Sequence, residues 1–221
     1  MKTAARKIVE SLTIADRVAI ISFNDNATAF ANEDRYLFEA NKANRKALSK
    51  QIDSFEGDGG TNIIAAAQET FRVLMDSADQ EELVRCGPIA AANTVIMFIT
   101  DGEATRPLGV TTAELETMAE DLVRKMFEAL RAKLGSEPFL FTYSVDDLAA
   151  DRFARAIVCE ATENGFWERV TSSRIVRSLT SYSKTLTLGL SAPENKGFVA
   201  LTEPYIFWSS GMNCVVQLSI F

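Results

Sequence analysis

An apolar run, NTVIMFITDGE at Asn93 to Glu103, delivers Asp101 at its carboxyl end, and a glycine turn, GDGGTN at Gly57 to Asn62, presents Thr61 where a helix begins. A carboxylate at a strand end beside a hydroxyl at a helix start is how an open α/β sheet assembles a metal or anion site. Both groups are hard oxygen donors of the kind Mg2+ and Ca2+ take. Each also has a purely structural reading. Asp101 can cap the turn that follows it, and Gly57, Gly59 and Gly60 can serve only to permit positive φ. Glu103 and Asp58 flank the pair and read either as added charge around a site or as solvated side chains.

The rest of the composition removes other chemistries. The chain of 221 residues contains no histidine, which excludes Ser-His and Cys-His nucleophile pairs, histidine proton transfer and histidine-ligated metals. Cys86, Cys159 and Cys214 are widely spaced and odd in number, so they form neither a zinc cluster nor a self-contained disulfide framework. Cys159 reads as a core residue on an apolar helix face and Cys86, just before a buried strand, as an inert core thiol; with three cysteines, at least one is free or pairs outside the chain. With 30 acidic against 23 basic residues, a net charge of -7 and no basic run, nothing here would hold a phosphate backbone. No stretch reaches the roughly 20 apolar residues of a membrane span, and MKTAARKIVE lacks the apolar core of a secretion signal.

The elements that must position Thr61 and Asp101 follow from periodicity. Residues 2 to 12 put Ala5, Ile8 and Leu12 on one helical face, and VAIISF at Val18 to Phe23 is a continuous apolar run ended by the turn NDNA. Such a run fits a parallel strand covered on both faces, with a return strand near Thr28 to Ala31. Helical spacing recurs over Arg45 to Phe55 and over Asn62 to Met75, with the glycine turn between them. Thr94 to Thr100 is a second buried strand. A capped helix follows, with Thr111 and Glu114 as the capping box, Leu115, Met118, Leu122, Met126 and Leu130 as the stripe, and Gly135 with Pro138 as the stop. Phe139 to Val145, a helix over Asp151 to Thr162, a strand over Phe166 to Val170 and a helix over Ser173 to Leu190 continue the alternation. Phe166 and Trp167 pack that last strand against a helix, and Asp79 to Glu82 reads as a solvated loop. The pattern predicts an α/β fold, a doubly wound, mostly parallel sheet with helices on both faces. It covers residues 1–190; 191–221 read as a linker, SAPENKG, and a strand-like remnant. Both ends read as cuts through a larger protein.

GDGGTN, VIMFITDGE, FLFTYSV, DRFARAIVCEATENGFWERV and SYSKTLTLGL, in this order, resemble a von Willebrand factor A domain. Within that family the chain looks closest to the A domain of the alpha-2-delta auxiliary subunits of voltage-gated calcium channels, through Cys86, FTY, and the DR…A…C…NG segment followed by Phe166 and Trp167. Thr202, Glu203 and Tyr205 are similar to the segment that opens that family's Cache-type domain, although Ala200 and Phe207 depart from its tryptophan and aspartate.

The resemblance implies a metal-ion-dependent adhesion site made of three loops: Asp-x-Ser-x-Ser after the first strand, a threonine in the second and an aspartate in the third. Thr61 and Asp101 match the second and third, and no Asp-x-Ser-x-Ser occurs. A site with Mg2+ or Ca2+ would thus be weak or absent, because one hydroxyl and one carboxylate fill only two of about six coordination positions. The strand that carries the first loop is also missing. In the family it lies centrally, between Val18 to Phe23 and Thr94 to Thr100, so the chain alone is expected to expose strand edges and to aggregate or fold poorly.

The expected function is a non-enzymatic binding module of an alpha-2-delta-like subunit. It would make divalent-dependent contact with a protein partner, such as a channel's pore-forming subunit, at the outer face of a membrane. Alternatives are a generic extracellular adhesion or matrix-type A domain and a nonfunctional fragment. An enzyme using Asp101 in phosphoryl transfer is disfavoured by the absence of a second nearby aspartate, a P-loop lysine and any histidine.

Overall fold

The computed structural model describes residues 1–14, 16–30, 37–57, 59–79, 94–135, 137–146, 150–162, 164–171 and 174, together with two short strands at 202–205 and 215–218. Helix α1 (Lys2–Ser11) leads into a β-rich segment: β1 (Arg17–Val18), β2 (Ile20–Phe23), β3 (Ala27–Phe30) and β4 (Phe38–Glu39). Helices α2 (Lys42–Ser54) and α3 (Ile63–Ala78) follow, then β5 (Val95–Thr100), α4 (Thr112–Leu134), β6 (Phe139–Val145), α5 (Ala150–Ala161) and β7 (Gly165–Val170). The strands β8 (Thr202–Tyr205) and β9 (Val215–Leu218) pair with each other in antiparallel fashion. The predicted helix over Ser173 to Leu190, apart from Arg174, the predicted linker SAPENKG, and Cys86 and Cys214 lie outside the described residues.

The parallel part of the fold is β5-β6-β7, in register from Val95 opposite Phe139 and from Leu140 opposite Gly165. Its middle strand is buried at all seven residues, FLFTYSV, as a parallel strand covered by helices on both faces must be. Two of its polar members are hydrogen-bonded: the Thr142 hydroxyl donates to the Ala154 carbonyl at 2.8 Å, and Ser144 accepts from the Trp167 indole at 3.1 Å. Side chains alternate between two cores. Leu140 joins Phe127, Phe153 and Ile157 on one face, while Phe139, Phe141 and Tyr143 meet Ala4 on the other. Phe166 and Trp167 divide in the same way, one to each core.

The predicted strand over Val18 to Phe23 is broken at Ala19. Its first piece, β1, pairs antiparallel with β4, and its second, β2, pairs antiparallel with β3. Among the described residues no ladder joins β2 to β5, so the sheet stops on either side of the position where the resemblance places a central strand.

Helix α4 has the predicted ends. Thr111 and Glu114 form a reciprocal capping box, and Gly135 closes the helix at φ 70, a left-handed conformation that favours glycine. Its buried face overlaps the predicted stripe in part: Leu115, Met126 and Leu130 are buried as predicted, Leu122 is half-buried and Met118 is 51% exposed, while Ala119, Val123 and Phe127 complete the face. The small residue Ala119 allows close packing on that face, which a count of large apolar residues overlooks. Cys159 is also a correction: it is exposed on α5, because Phe153, Ile157 and Val158 take the inward positions. The predicted face of α1 shifts too, with Ala4 and Val9 as its fully buried residues.

Candidate functional site

Three loops meet at the carboxyl ends of β2 and β5. The first is the turn Asn24–Asn26, where the Asn26 N–H donates to the Asn24 side chain at 3.1 Å. Asp25 Oδ1 accepts from the Gly60 N–H at 2.9 Å and from Arg106 Nε at 2.5 Å. Those two bonds, the Gly60 amide first and the Arg106 guanidinium second, hold the Asp25 carboxyl below its usual range.

The second loop is the glycine turn. Gly59 has φ 85, and a Cβ on Gly60 would sit 2.7 Å from Asp25 Oδ1 and 2.8 Å from Thr105 Oγ1. Glycine at 60 is thus required by close approach. Asn62 fixes the far end of the turn. Its N–H donates to the Asn24 carbonyl at 2.7 Å, its amide group to the Asp25 carbonyl at 3.0 Å, and its side-chain oxygen caps α3 by accepting from the Ala65 N–H at 3.0 Å.

The third loop carries Asp101. Thr61 and Thr105 exchange two bonds: the Thr61 N–H donates to Thr105 Oγ1 at 2.8 Å, and the Thr105 N–H donates to the Thr61 carbonyl at 3.0 Å. Between them, Ala104 is buried in the same core as Ile63, which anchors the third loop beside the start of α3. Thr61 Oγ1 consequently lies 3.2 Å from the point where a side chain on Gly102 would begin. Gly102 directly follows Asp101, so the two sequence-predicted site residues belong to one cluster. Asp101 and Glu103 are exposed, and Thr61 is half-buried. Gly57 stands apart, with nothing within 4 Å of a Cβ at that position, and Asp58 lies outside the described residues.

Behind the third loop, Glu116 on α4 is 5% exposed. Burial pushes its carboxyl up, opposed by Arg152 at 3.5 Å and reinforced by the charges of Glu120 and Glu103.

Asp25, Thr105 and Arg106 are the residues that sequence reasoning missed. The signal for Asp25 is of the same kind that points to Asp101: an aspartate in the turn that ends an apolar strand, separated from β2 by Asn24 in NDNA and directly after β5 in TDGE. Thr105 and Arg106 carry no local signal, because their partners lie 44 and 81 residues away.

The donors present make only part of a divalent-cation site. Among the described residues there is no group of three or more Asp, Glu, Cys or His side chains placed to share an ion. Asp25, a further carboxylate in the loop cluster, is already held by Arg106 and Gly60. Thr61 and Asp101 supply oxygens of the right chemistry, but any further ligands must come from water or from outside the described residues. No helix among those residues is long and apolar enough to cross a membrane.

Comparison with known proteins agrees with this architecture. The family described as the von Willebrand factor type A domain matches residues 1–180. Among solved structures, a von Willebrand factor type A protein from Catenulispora acidiphila superposes with a TM-score of 0.58 at 13% identity, over 82% of this chain and 36% of that one. The likeness is one of fold, and this chain spans about a third of that protein's length. No curated protein matches the chain.

Proposed function

This chain belongs to the von Willebrand factor type A domain family, and from that premise we propose that it is a non-catalytic protein-contact domain whose contact surface is the loop cluster at the carboxyl ends of β2 and β5. Domains of this type generally mediate contacts between proteins. The observation that carries the reading here is the exchange of two hydrogen bonds between Thr61 and Thr105, which holds the Thr61 loop against the Asp101 loop as one rigid, solvent-facing surface.

The contact is divalent-dependent in this reading. Thr61 and Asp101 offer the protein's share of the oxygens, and a carboxylate from the partner supplies another. With so few ligands of its own, the domain alone holds Mg2+ or Ca2+ weakly, in or above the millimolar range of the loosest protein sites. The sequence resemblance further supports an alpha-2-delta-like auxiliary subunit acting at the outer face of a membrane, with a calcium channel's pore-forming subunit as the partner and with 191–221 as the entry to a Cache-like domain.

A Mn2+ titration followed by NMR tests the cation dependence. Paramagnetic broadening confined to residues 59–62 and 101–106, and lost in Asp101→Ala, is the expected result. Broadening spread over the acidic surface, or unchanged by the substitution, would remove the cation from the proposal.

A further inference from the structure

The turn between β2 and β3 runs into β3 as Asn26, Ala27 and Thr28. These residues match Asn-x-Thr with a middle residue other than proline, the acceptor pattern for N-linked glycosylation. No other asparagine of the chain is followed two residues later by serine or threonine. So short a pattern arises easily by chance, and its weight depends on what the fold does with these side chains.

The asparagines nearby are each fixed by their amide groups. Asn24 accepts from the Asn26 N–H at 3.1 Å, Asn41 accepts from the Asn44 N–H at 3.0 Å, and Asn44 donates to the Glu39 carbonyl at 2.9 Å. Asn62 donates to the Asp25 carbonyl at 3.0 Å and caps α3. Asn26 differs from all of them. Its backbone closes the turn, with the Asn24 N–H donating to its carbonyl at 2.8 Å. Its side chain is exposed and makes no hydrogen bond among the described residues. Thr28, the second residue of β3, is exposed too, and its hydroxyl is equally unengaged among those residues. Between them Ala27 is half-buried opposite Phe23, which ties the segment to the sheet by its backbone alone. A free amide on an exposed turn can carry a bulky, hydrophilic chain without loss of any bond in the fold.

We propose that Asn26 is an N-glycosylation site, with Thr28 as the hydroxyl residue of its acceptor motif. The reaction joins Asn26 Nδ2 to C1 of the first sugar of a lipid-diphosphate-linked oligosaccharide. The new N–C1 bond replaces the C1–O bond to the diphosphate, the amide nitrogen gives up one proton, and the lipid diphosphate leaves. Donor and transferase are met in the secretory pathway, so this site depends on the outer-face part of the function proposed above. Transfer takes place on the entering chain, before folding; the fold then has to accommodate the sugar. Asn26 directly follows Asp25, whose carboxylate holds Gly60 and Arg106. The glycan therefore belongs to the first-loop side of the cluster and leaves the third-loop side, where Asp101 and Glu103 are exposed, open to a partner.

The test places the whole chain behind a cleavable secretion signal and translates it with microsomes, which delivers it to the transferase whatever its natural location. Protection from added protease identifies the chains that have entered. A slower-migrating form is expected among them, collapsed by peptide N-glycosidase, with aspartate left in place of Asn26 in the mass spectrum. It should be lost in Asn26→Gln and in Thr28→Ala and kept in Thr28→Ser. Absence of the form among entered chains, or its survival in Asn26→Gln, would overturn the proposal. Neither result touches the cation-dependent contact, which the Mn2+ titration tests by itself. Hydrogen exchange at the Gly60 amide then compares the glycosylated chain with Asn26→Gln. Equal exchange is expected, because the Asn26 side chain holds none of the loop bonds. Exchange about tenfold faster in the glycosylated chain would show that the fold does not accommodate the sugar, and would overturn the proposal as well.

Discussion

Gly60 donates its backbone N–H to the carboxylate of Asp25 at 2.9 Å, across 35 residues of sequence. Through that bond the turn after β2 and the turn before α3 become one structure, and Arg106 extends it to the loop that carries Asp101. The proposed contact surface therefore depends on residues that would not themselves touch a cation or partner.

Asp25→Ala should release the glycine turn, while Asp25→Asn keeps an acceptor for Gly60 and loses the Arg106 ion pair. Hydrogen exchange at the Gly60 amide is expected to speed up about tenfold in the alanine variant and less in the asparagine variant, with the core strands unaffected. Equal exchange in all three proteins would show that the bond does not organise the loop.

Gly60→Ala would push a Cβ against both Asp25 and Thr105, at 2.7 and 2.8 Å. A loss of about 1–3 kcal/mol in urea unfolding is expected from overpacking of this kind. Gly57→Ala is the control, with nothing within 4 Å of its Cβ, and should be close to neutral. Similar losses from both would show that the close approach at Gly60 is not the cause.

The pH dependence has two opposite contributions. Asp25 has a lowered carboxyl, so the stabilisation it gives is present above its unfolded value near 3.8 and is lost as the pH falls through its lower folded value. Gly60 exchange, corrected for the intrinsic effect of pH, should thus stay protected at pH 5 and lose protection only in stronger acid. Glu116 has a raised carboxyl, which makes its burial least favourable once the pH exceeds its folded value. Glu116→Gln should stabilise the fold at neutral pH by about 1 kcal/mol or less, after loss of the long Arg152 pair, and the gain should vanish as the pH approaches 4. A gain independent of pH would contradict burial as the cause.

Phe23 on β2 and Phe98 on β5 stack, with centroids 5.3 Å apart. A double-mutant cycle with alanine at both positions should give a coupling of about 0.5–1.5 kcal/mol, the range for aromatic pairs. Additive losses would mean that β2 and β5 do not support each other through this contact.

Much of this architecture could be read from the chain. The run FLFTYSV is apolar enough to require cover on both faces, and the pairing of Thr111 with Glu114 fixes the start of α4 within its own first turn. What could not be read involves long-range choice. Whether Cys159 or Val158 faces inward depends on how α5 is rotated against β6 and β7, since both residues fit an apolar stripe. The break at Ala19 reflects antiparallel pairing of β1 and β2 with two different strands, information that an unbroken apolar run does not contain. Thr61 and Asp101 were legible because each sits at an element boundary with a short motif around it. Arg106 was not, because its role exists only once Asp25 has been brought across the fold.

The central claim is that the loop cluster is the contact surface, and photo-crosslinking tests it most directly. A benzophenone amino acid at Glu103, exposed in the third loop, is compared with one at Glu128, roughly 25 Å further along α4 from its capped end. The account predicts a discrete crosslinked protein from position 103 in Mg2+, lost in chelator and in Asp101→Ala, and none from position 128. Crosslinks from position 128 with none from position 103 would contradict it.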